Sequence, residues 1–223
     1  MKKYVIILAC GNGTRMQAST PKQYLLVGDK PIVFHTIEKI WEFDNTHNII
    51  VVINSEHEQL FNTLKEQYSL NIPFNVVFGG KTRFLSVRNA LDSIEDTNSL
   101  VAIHDGVRPF VSKEAFENSF LVASQRGNAI CAVTATDSIR MGSRNNNHAV
   151  NRQEVFLIQT PQTFLTSTIK LAYKQEYQEK FTDDASVLES LGKEINIIEG
   201  NRDNIKITYP SDLLIAQKIL ENK

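Results

Sequence analysis

The stretch VIILACGNGTRMQASTPKQY, Val5–Tyr24, decides the fold and places the functional site. Its apolar start, VIILA, shows no alternation of polar and apolar residues, which is typical of a strand buried on both faces of a parallel sheet. The glycines that follow, Gly11 and Gly13, let backbone N–H groups face an anion, and two cations, Arg15 and Lys22, come next. Because open α/β sheets bind ligands beyond the carboxyl ends of their strands, we expect an anion site here.

Four more apolar runs of strand length follow, and segments with helical spacing of apolar residues separate them. The runs are Ile49–Ile53, Phe74–Phe78, Leu100–Ile103 and Ala129–Val133, and the helical positions are Ile37, Ile40 and Trp41, then Leu60, Leu64 and Tyr68, then Val87, Leu91 and Ile94, then Phe116, Phe120 and Ala123. This alternation predicts an α/β fold with a doubly wound, mostly parallel sheet. We see no domain boundary and expect a single domain over residues 1–223.

Special residues follow two further strands of the predicted sheet. Gly79-Gly80-Lys81 comes after the third apolar run, and the segment from His104 to Pro109 comes after the fourth. We expect these groups to face one crevice together with the first glycine loop, because the carboxyl ends of parallel strands meet at one edge.

The segment DSIRMGSRNNNHAVNR, residues 137–152, breaks this pattern and predicts a β-hairpin arm that projects from the sheet. A disordered loop is the alternative. Since an isolated two-stranded hairpin is marginally stable in water, we predict a homodimer in which the arm packs on the neighbouring subunit.

The end of the chain predicts helices joined by short strands. We expect a helix at about 167–178, a second helix capped by Thr182–Asp184 and ending near Gly192, and a terminal helix with Pro210 in its first turn. Ile195–Ile198 and Ile205–Ile207 are predicted to be short strands.

Composition excludes several classes of protein. The formal net charge of −1 argues against nonspecific nucleic-acid binding, and no apolar run approaches the roughly 20 residues of a membrane span. Cys10 and Cys131 show no metal-ligand spacing, so we interpret them as reduced packing residues of a cytoplasmic protein.

The glycine loop does not match the two better-known phosphate-binding motifs. A P-loop requires a glycine and then lysine at the end of G-x-x-x-x-G-K, but Met16 stands five positions after Gly11. The dinucleotide motif G-x-G-x-x-G fails at the same methionine.

The whole pattern is more specific. G-x-G-x-R-M followed by P-K-Q-Y, here Gly11–Met16 and Pro21–Tyr24, resembles the signature of nucleotidyltransferases that join a nucleoside triphosphate to a phosphorylated sugar or polyol. Further matching segments are GGKTRFLSV (Gly79–Val87), HDGVRPF (His104–Phe110), TDSI (Thr136–Ile139), NR (Asn151-Arg152), QTPQTF (Gln159–Phe164), TDDAS (Thr182–Ser186) and DNIKIT (Asp203–Thr208). Together they resemble the 2-C-methyl-D-erythritol 4-phosphate cytidylyltransferase family over essentially the entire chain.

The resemblance implies a Rossmann-like nucleotidyltransferase that joins CTP and 2-C-methyl-D-erythritol 4-phosphate, giving 4-diphosphocytidyl-2-C-methylerythritol and pyrophosphate in non-mevalonate isoprenoid precursor biosynthesis. It also implies Mg²⁺ as cofactor, held mainly by phosphates with Asp105 nearby. The family's catalytic cations match Arg15, Lys22, Arg152 and Lys206.

Other matching positions take binding roles in the family. For the nucleotide these are Ala9, Cys10, Gly11, Gly13, Gly79, Gly80, Ser86, Asp105 and Gly106, and for the acceptor Asp105, Arg108, Ser138, Arg152, Thr182 and Lys206.

Some of these residues also have purely structural interpretations. Arg108 would then only brace its loop through carbonyl groups, and Asp183 and Asp184 would only cap a helix. We expect His104 to pack or hydrogen-bond locally and not to act as a base.

Two rival functions stay open at this point. Ribitol-5-phosphate cytidylyltransferases share the nucleotide motifs, although TDDAS favours the methylerythritol enzymes. A non-catalytic nucleotide-binding regulator with the same fold is the second rival, and it would not need Arg15, Lys22 and Lys206 together.

Overall fold

The computed structural model describes residues 1–11 and 20–222 of the chain, so Gly13 and Arg15 lie outside the described residues. The elements in chain order are β1 (Lys2–Ala9), β2 (Leu26–Val27), β3 (Lys30–Pro31), α1 (Ile32–Phe43), β4 (Asn48–Ile53), α2 (Glu58–Gln67), β5 (Asn75–Phe78), α3 (Arg83–Asp92), β6 (Ser99–Asp105), α4 (Lys113–Arg126), β7 (Asn128–Thr134), β8 (Ile139–Gly142), β9 (Asn147–Val150), β10 (Phe156–Leu165), α5 (Thr166–Ala172), α6 (Asp184–Glu189), β11 (Ile197–Glu199) and α7 (Pro210–Glu221). Short 3-10 helices cover Lys22–Tyr24, Ser55–His57 and Arg152–Glu154.

The centre of the fold is a seven-stranded sheet with the order β11-β7-β10-β6-β1-β4-β5. β1 pairs in parallel with both β4 and β6, so that Val5 aligns with Ile49 on one side and with Ala102 on the other. β10 alone runs antiparallel to its neighbours in this sheet. The prediction of a doubly wound, mostly parallel sheet is confirmed.

Helices cover both faces of this sheet and form two cores. Val5 and Ile7 of β1 pack with Phe61 of α2 in one core, whereas Ile6 packs with Leu91 of α3 in the other. The three strand residues are fully buried. Because both faces of β1 are covered, its sequence shows no polar alternation.

Strand β10 was not predicted, although it lies in the middle of the sheet. Its central residues are polar and include Pro161, which signals against a central strand. The proline falls where the register with β7 shifts, between Ile158 and Gln162, so no regular ladder bond is lost there. Buried Thr163 donates a hydrogen bond to Ser119 Oγ over 2.8 Å, and such partners of the polar side chains are set by tertiary contacts.

The projecting arm is a hairpin, as predicted. β8 and β9 form a separate antiparallel pair with Ile139 opposite Val150 and Gly142 opposite Asn147. Most of its side chains are exposed, including Met141 at 60%.

The C-terminal predictions need two corrections. The helix expected at 167–178 ends at Ala172, where α5 stops. Ile205–Ile207 is not a strand; it is irregular and is tied to the β6 loop by a hydrogen bond from Ile207 N to Val107 O at 3.0 Å. The other predicted elements of this region are present, and Asp183 caps α6 by accepting a hydrogen bond from Ser186 N.

Both cysteines are free thiols, in agreement with their interpretation as packing residues. Burial raises the pKa of Cys131 to about 12, and burial also raises the pKa of Cys10. Neither thiol is therefore activated as a nucleophile.

Candidate active site

A crevice with a volume of about 590 Å³ opens at the carboxyl ends of β1, β5 and β6. Its wall contains nine of the residues that the sequence selected: Ala9, Cys10, Gly11, Lys22, Gly79, Gly80, Ser86, Asp105 and Lys206. The expected convergence of three strand ends on one site is therefore observed.

The glycine pair after β5 allows a close approach of two chain segments. A Cβ on Gly79 would lie 2.8 Å from Cys10 Cβ and 2.9 Å from Ser86 Oγ, and a Cβ on Gly80 would lie 2.5 Å from Leu85 Cβ. Ser86 Oγ accepts a hydrogen bond from Gly80 N at 3.1 Å, which holds the glycines against the first turn of α3. Backbone without side chains thus forms this wall of the crevice.

Asp105 lies at the end of β6 between two cations. Its Oδ2 is 2.9 Å from Lys206 Nζ and 3.3 Å from Arg108 Nε. Burial by itself raises the pKa of Asp105, but Lys206, Arg83 and Arg108 outweigh it and hold the pKa well below the usual range. The group is therefore a carboxylate at neutral pH.

Lys22 connects the two sides of the crevice. Its ammonium donates a hydrogen bond to Ile207 O at 3.2 Å, next to Lys206 in the chain. Gln23 fixes the same 3-10 helix to the end of β1, because its Nε2 donates to Ala9 O at 2.8 Å. Two lysines from opposite ends of the sequence thus reach one crevice.

The remaining predicted site residues do not line this crevice within the part of the chain that the structure describes. Arg108 Nη1 donates to Asn204 O at 2.7 Å, so the contacts observed are those of a loop brace. Arg152 Nη1 donates to Thr136 O at 2.7 Å at the base of the arm, and Ser138 and Thr182 are exposed. Gly106 is buried, and a Cβ there would lie 2.9 Å from Leu8 O.

Several lining residues were not selected from the sequence: Leu8, Gln23, Asn54, Glu56, Thr82 and Arg83. Lys81 and Val107 also line the crevice and belong to the two segments that were expected to face it. Arg83 is the most informative of the unselected residues, because it forms an ion pair with buried Asp184. Its position inside the GGKTRFLSV segment, three residues after Gly80, was the available signal.

His104 is buried beneath the crevice and is satisfied as a neutral imidazole. Its Nε2 lies 3.0 Å from Arg108 O, which accepts only, so this nitrogen carries the proton. Its Nδ1 lies 3.1 Å from Thr160 Oγ1 and accepts from that hydroxyl. Burial lowers the pKa of His104 to about 4, and the prediction that it bonds locally is confirmed.

Because the pKa of His104 is lowered in the folded protein, we expect stability to depend on pH. Between about pH 6.5 and pH 4 the unfolded chain binds a proton at His104 that the folded chain rejects, so stability falls as the pH falls through this range. From pH 7 to pH 5 the expected contribution to the loss is about 2 kcal/mol. Denaturant unfolding at pH 7 and at pH 5 measures this loss of stability. Because glutamine does not titrate, the free energy of unfolding of His104→Gln should fall by about 2 kcal/mol less than that of the wild type. An equal loss in both proteins would contradict the prediction.

The fold and the crevice place the chain among the nucleotidyltransferases of the α/β class. A family model described as "IspD: 2-C-methyl-D-erythritol 4-phosphate cytidylyltransferase" matches residues 3–222. The chain belongs to the 2-C-methyl-D-erythritol 4-phosphate cytidylyltransferase family.

Individual relatives agree with this assignment over their full length. A 2-C-methyl-D-erythritol 4-phosphate cytidylyltransferase from Azobacteroides pseudotrichonymphae is 44% identical over 222 residues, covering 99% of each chain. The solved structure of a 4-diphosphocytidyl-2C-methyl-D-erythritol synthase from Anaerococcus prevotii matches with a TM-score of 0.84 at 28% identity, over 99% of this chain and 96% of that one. The Francisella tularensis 2-C-methyl-D-erythritol 4-phosphate cytidylyltransferase matches with a TM-score of 0.80 at 30% identity, over 98% and 99% of the two chains.

Proposed function

We propose that this chain transfers the cytidylyl group of CTP to 2-C-methyl-D-erythritol 4-phosphate, giving 4-diphosphocytidyl-2-C-methylerythritol and pyrophosphate for non-mevalonate isoprenoid precursor biosynthesis. Family membership over residues 3–222 supports the reaction. The observation that carries the proposal is the crevice in which Lys22 and Lys206 meet the glycine walls. A rival ribitol-phosphate activity has no such support from the relatives described above.

The chemistry fits a site built from cations and backbone. A phosphate-monoester oxygen of the acceptor attacks the α-phosphorus of CTP, and the bond to the β-phosphate breaks as pyrophosphate leaves. With a second pKa near 6 the monoester is already largely ionised at neutral pH, so no general base is needed. The protein has to bring two anions together and stabilise the charge of an in-line transition state. In this proposal Lys22, Lys206, Arg15 and Arg152 do so.

Lys206 and Asp105 have a joint part in this scheme. The 2.9 Å ion pair directs the Lys206 ammonium into the crevice, where its side chain is 40% exposed. Asp105 therefore orients the Lys206 ammonium so that it can bind an incoming phosphate group. This interpretation supports the acceptor-binding roles proposed for both residues.

We also propose that Mg²⁺ accompanies CTP. Among the described residues, no group of three or more His, Cys, Asp or Glu side chains forms a metal site. The oxygen donors of a triphosphate, with the Asp105 carboxylate beside them, fit a hard cation that keeps most of its ligands from substrate and water. When bound, Mg²⁺ would neutralise phosphate charge.

The arm supports a homodimer. Phe156, Leu157 and Ile158 follow the arm in the chain and are 46%, 49% and 39% exposed, and Met141 of the arm is also exposed. A second copy of the chain would cover this apolar surface and would stabilise a hairpin that has no other sheet partner among the described strands. In such a dimer Arg152, Ser138 and the arm would serve the crevice of the partner subunit.

A cytoplasmic location is proposed from the two free thiols. No helix in residues 1–11 and 20–222 has the length and apolar character needed to cross a bilayer.

An acceptor assay tests the function. Purified protein with CTP, Mg²⁺ and 2-C-methyl-D-erythritol 4-phosphate should release pyrophosphate, while ribitol 5-phosphate under the same conditions should not support release. Release with ribitol 5-phosphate alone would replace the proposed acceptor. A protein that binds CTP but turns over neither acceptor would be a nucleotide-binding regulator.

A further inference from the structure

The ion pair between Arg83 and Asp184 joins two regions that are 101 positions apart in the chain. Arg83 is the first residue of α3 and lines the crevice directly after the glycine wall. Asp184 is the first residue of α6 and is fully buried. Arg83 Nη1 donates to Asp184 Oδ1 at 2.9 Å, and Nη2 donates to Oδ2 at 2.6 Å. Two parallel hydrogen bonds of this kind fix orientation as well as distance.

Aromatic rings surround this pair. Tyr173 Oη donates to Asp184 Oδ1 at 2.5 Å. The ring of Phe84, the residue after Arg83, stacks on Tyr173 with centroids 4.6 Å apart and on Phe181 with centroids 5.6 Å apart. The start of α3 is thereby packed against Tyr173, Phe181 and Asp184.

Further hydrogen bonds make the start of α6 equally well defined. Gln162 of β10 donates from Nε2 to Asp183 Oδ2 at 2.9 Å and accepts from Ala185 N at 2.8 Å. Asp183 Oδ1 accepts from Ser186 N at 2.9 Å. Thr182 is exposed and directly precedes this hydrogen-bonded turn.

The charge of Arg83 is already matched. Both terminal nitrogens of its guanidinium donate to one carboxylate, and Asp184 raises the pKa of Arg83 above its ordinary value against the effect of burial. An arginine whose charge is compensated by a buried carboxylate attracts a triphosphate less strongly than an uncompensated cation does. Its geometry is that of a link between the crevice wall and the start of α6.

We propose that Arg83 and Asp184 are positioning residues that hold the segment Thr182–Asp184 at a fixed distance from the glycine wall, so that the acceptor phosphate meets the α-phosphorus in line. This inference rests on the proposed function, because Thr182 contacts the acceptor only in that reaction. Neither residue touches a reacting atom in this scheme. Each acts through the segment that it anchors.

Steady-state kinetics of two conservative variants test the proposal. Asp184→Asn keeps the shape of the buried side chain, and Arg83→Lys keeps the charge at the crevice but loses the two-pronged contact. Each should lower kcat/KM for the acceptor by about 10- to 100-fold, as a misplacement of about 1 Å does, and should change the dissociation constant of CTP by less than about threefold. The kcat/KM of the double variant should be no lower than that of the poorer single variant, because both substitutions break the same ion pair.

Glu38→Gln is the matched control. It breaks an ion pair of similar length, Lys30 to Glu38 at 2.6 Å, away from the crevice, and should leave both parameters unchanged. Rates are measured well below the unfolding midpoint of each variant, so that loss of folded protein does not enter.

Hydrogen exchange supplies a readout that does not require turnover. In Arg83→Lys the amides of Ala185 and Ser186 should exchange faster, whereas the Gly80 and Leu85 amides, held by Ser86 Oγ and Thr82 Oγ1, should not. If Asp184→Asn fails to fold, both measurements are made on Arg83→Lys. The Arg83 side chain is 32% exposed, so its replacement leaves the buried core in place.

The outcomes separate the possibilities. Weaker CTP binding with unchanged acceptor kinetics would show that Arg83 binds the nucleotide directly and would overturn the proposal. Unchanged kinetics with faster exchange would reduce the ion pair to a purely structural role. An inactive wild-type protein would refute the proposed function, whereas an active wild type with unaffected variants would refute only the positioning role.

Discussion

Replacing Lys22 with glutamine is expected to lower kcat by about 10²- to 10³-fold, the usual effect of removing one charge that stabilises an anionic transition state. Lys22 lines the crevice together with the glycine walls and Lys206, and its ammonium donates to Ile207 O. Glutamine keeps most of the length of the side chain and the ability to donate, but not the charge. Pyrophosphate release with saturating CTP and acceptor measures the change.

A second lysine provides the control for this experiment. Lys39→Gln removes the same charge from α1, where Lys39 Nζ pairs with Glu42 at 3.1 Å on the surface, and it should leave kcat unchanged. If Lys22→Gln retained kcat within about threefold while KM for CTP rose, Lys22 would be a binding residue rather than a stabiliser of the transition state.

The largest gain of activity is expected from mixing two inactive variants. If the arm serves the neighbouring crevice, Lys22→Gln and Arg152→Gln damage sites built from different subunits. After random reassortment about half of the dimers contain one chain of each kind, and each of these has one intact site, so the mixture should reach about a quarter of wild-type activity. Each variant alone should stay near the low level expected for a lost catalytic charge.

Arg152 is suited to this test because its own crevice does not include it. Its guanidinium is exposed at the base of the arm and donates to Thr136 O. A chain carrying both substitutions, mixed with wild type, is the control. If the arm serves the partner's crevice, each mixed dimer has one site without Lys22 and one without Arg152, so only the wild-type dimers, about a quarter of the total, are active. If the arm serves its own crevice, each mixed dimer instead keeps one intact site, and about half of the activity remains. If the two single variants regained no activity while sedimentation showed exchanged dimers, the arm would not complete the partner's site.

The glycine side of the crevice was predictable from sequence because its parts are local. A strand that is apolar throughout, a glycine loop at its end and a nearby Lys22 lie within one short stretch. The glycines after β5 and Asp105 after β6 follow the same rule, since parallel strands bring their carboxyl ends to one edge. Of these residues, Gly11, Lys22, Gly79, Gly80 and Asp105 line the observed crevice.

The side of the crevice that carries Lys206 and Arg83 was predictable only in part. Lys206 was selected by its motif, but the prediction of a strand around it was wrong, because one hydrogen bond to Val107 and an ion pair with Asp105 fix that segment instead of a sheet ladder. Arg83 was not selected, since its partner lies 101 positions away and a lone arginine in a helix start does not reveal whether it is paired.

By itself, the sequence of Val5–Tyr24 determined that the chain builds a parallel sheet with a glycine-lined crevice at its edge, because hydrophobic periodicity and glycine geometry are local properties. Only the tertiary structure decided which distant groups meet there. Polar β10 became a central strand because its buried hydroxyls and amides find partners on other elements, such as Ser119 and Asp183. Asp184 became the anchor of α6 through Arg83 because a buried carboxylate requires a compensating charge, and which cation supplies it depends on packing in three dimensions.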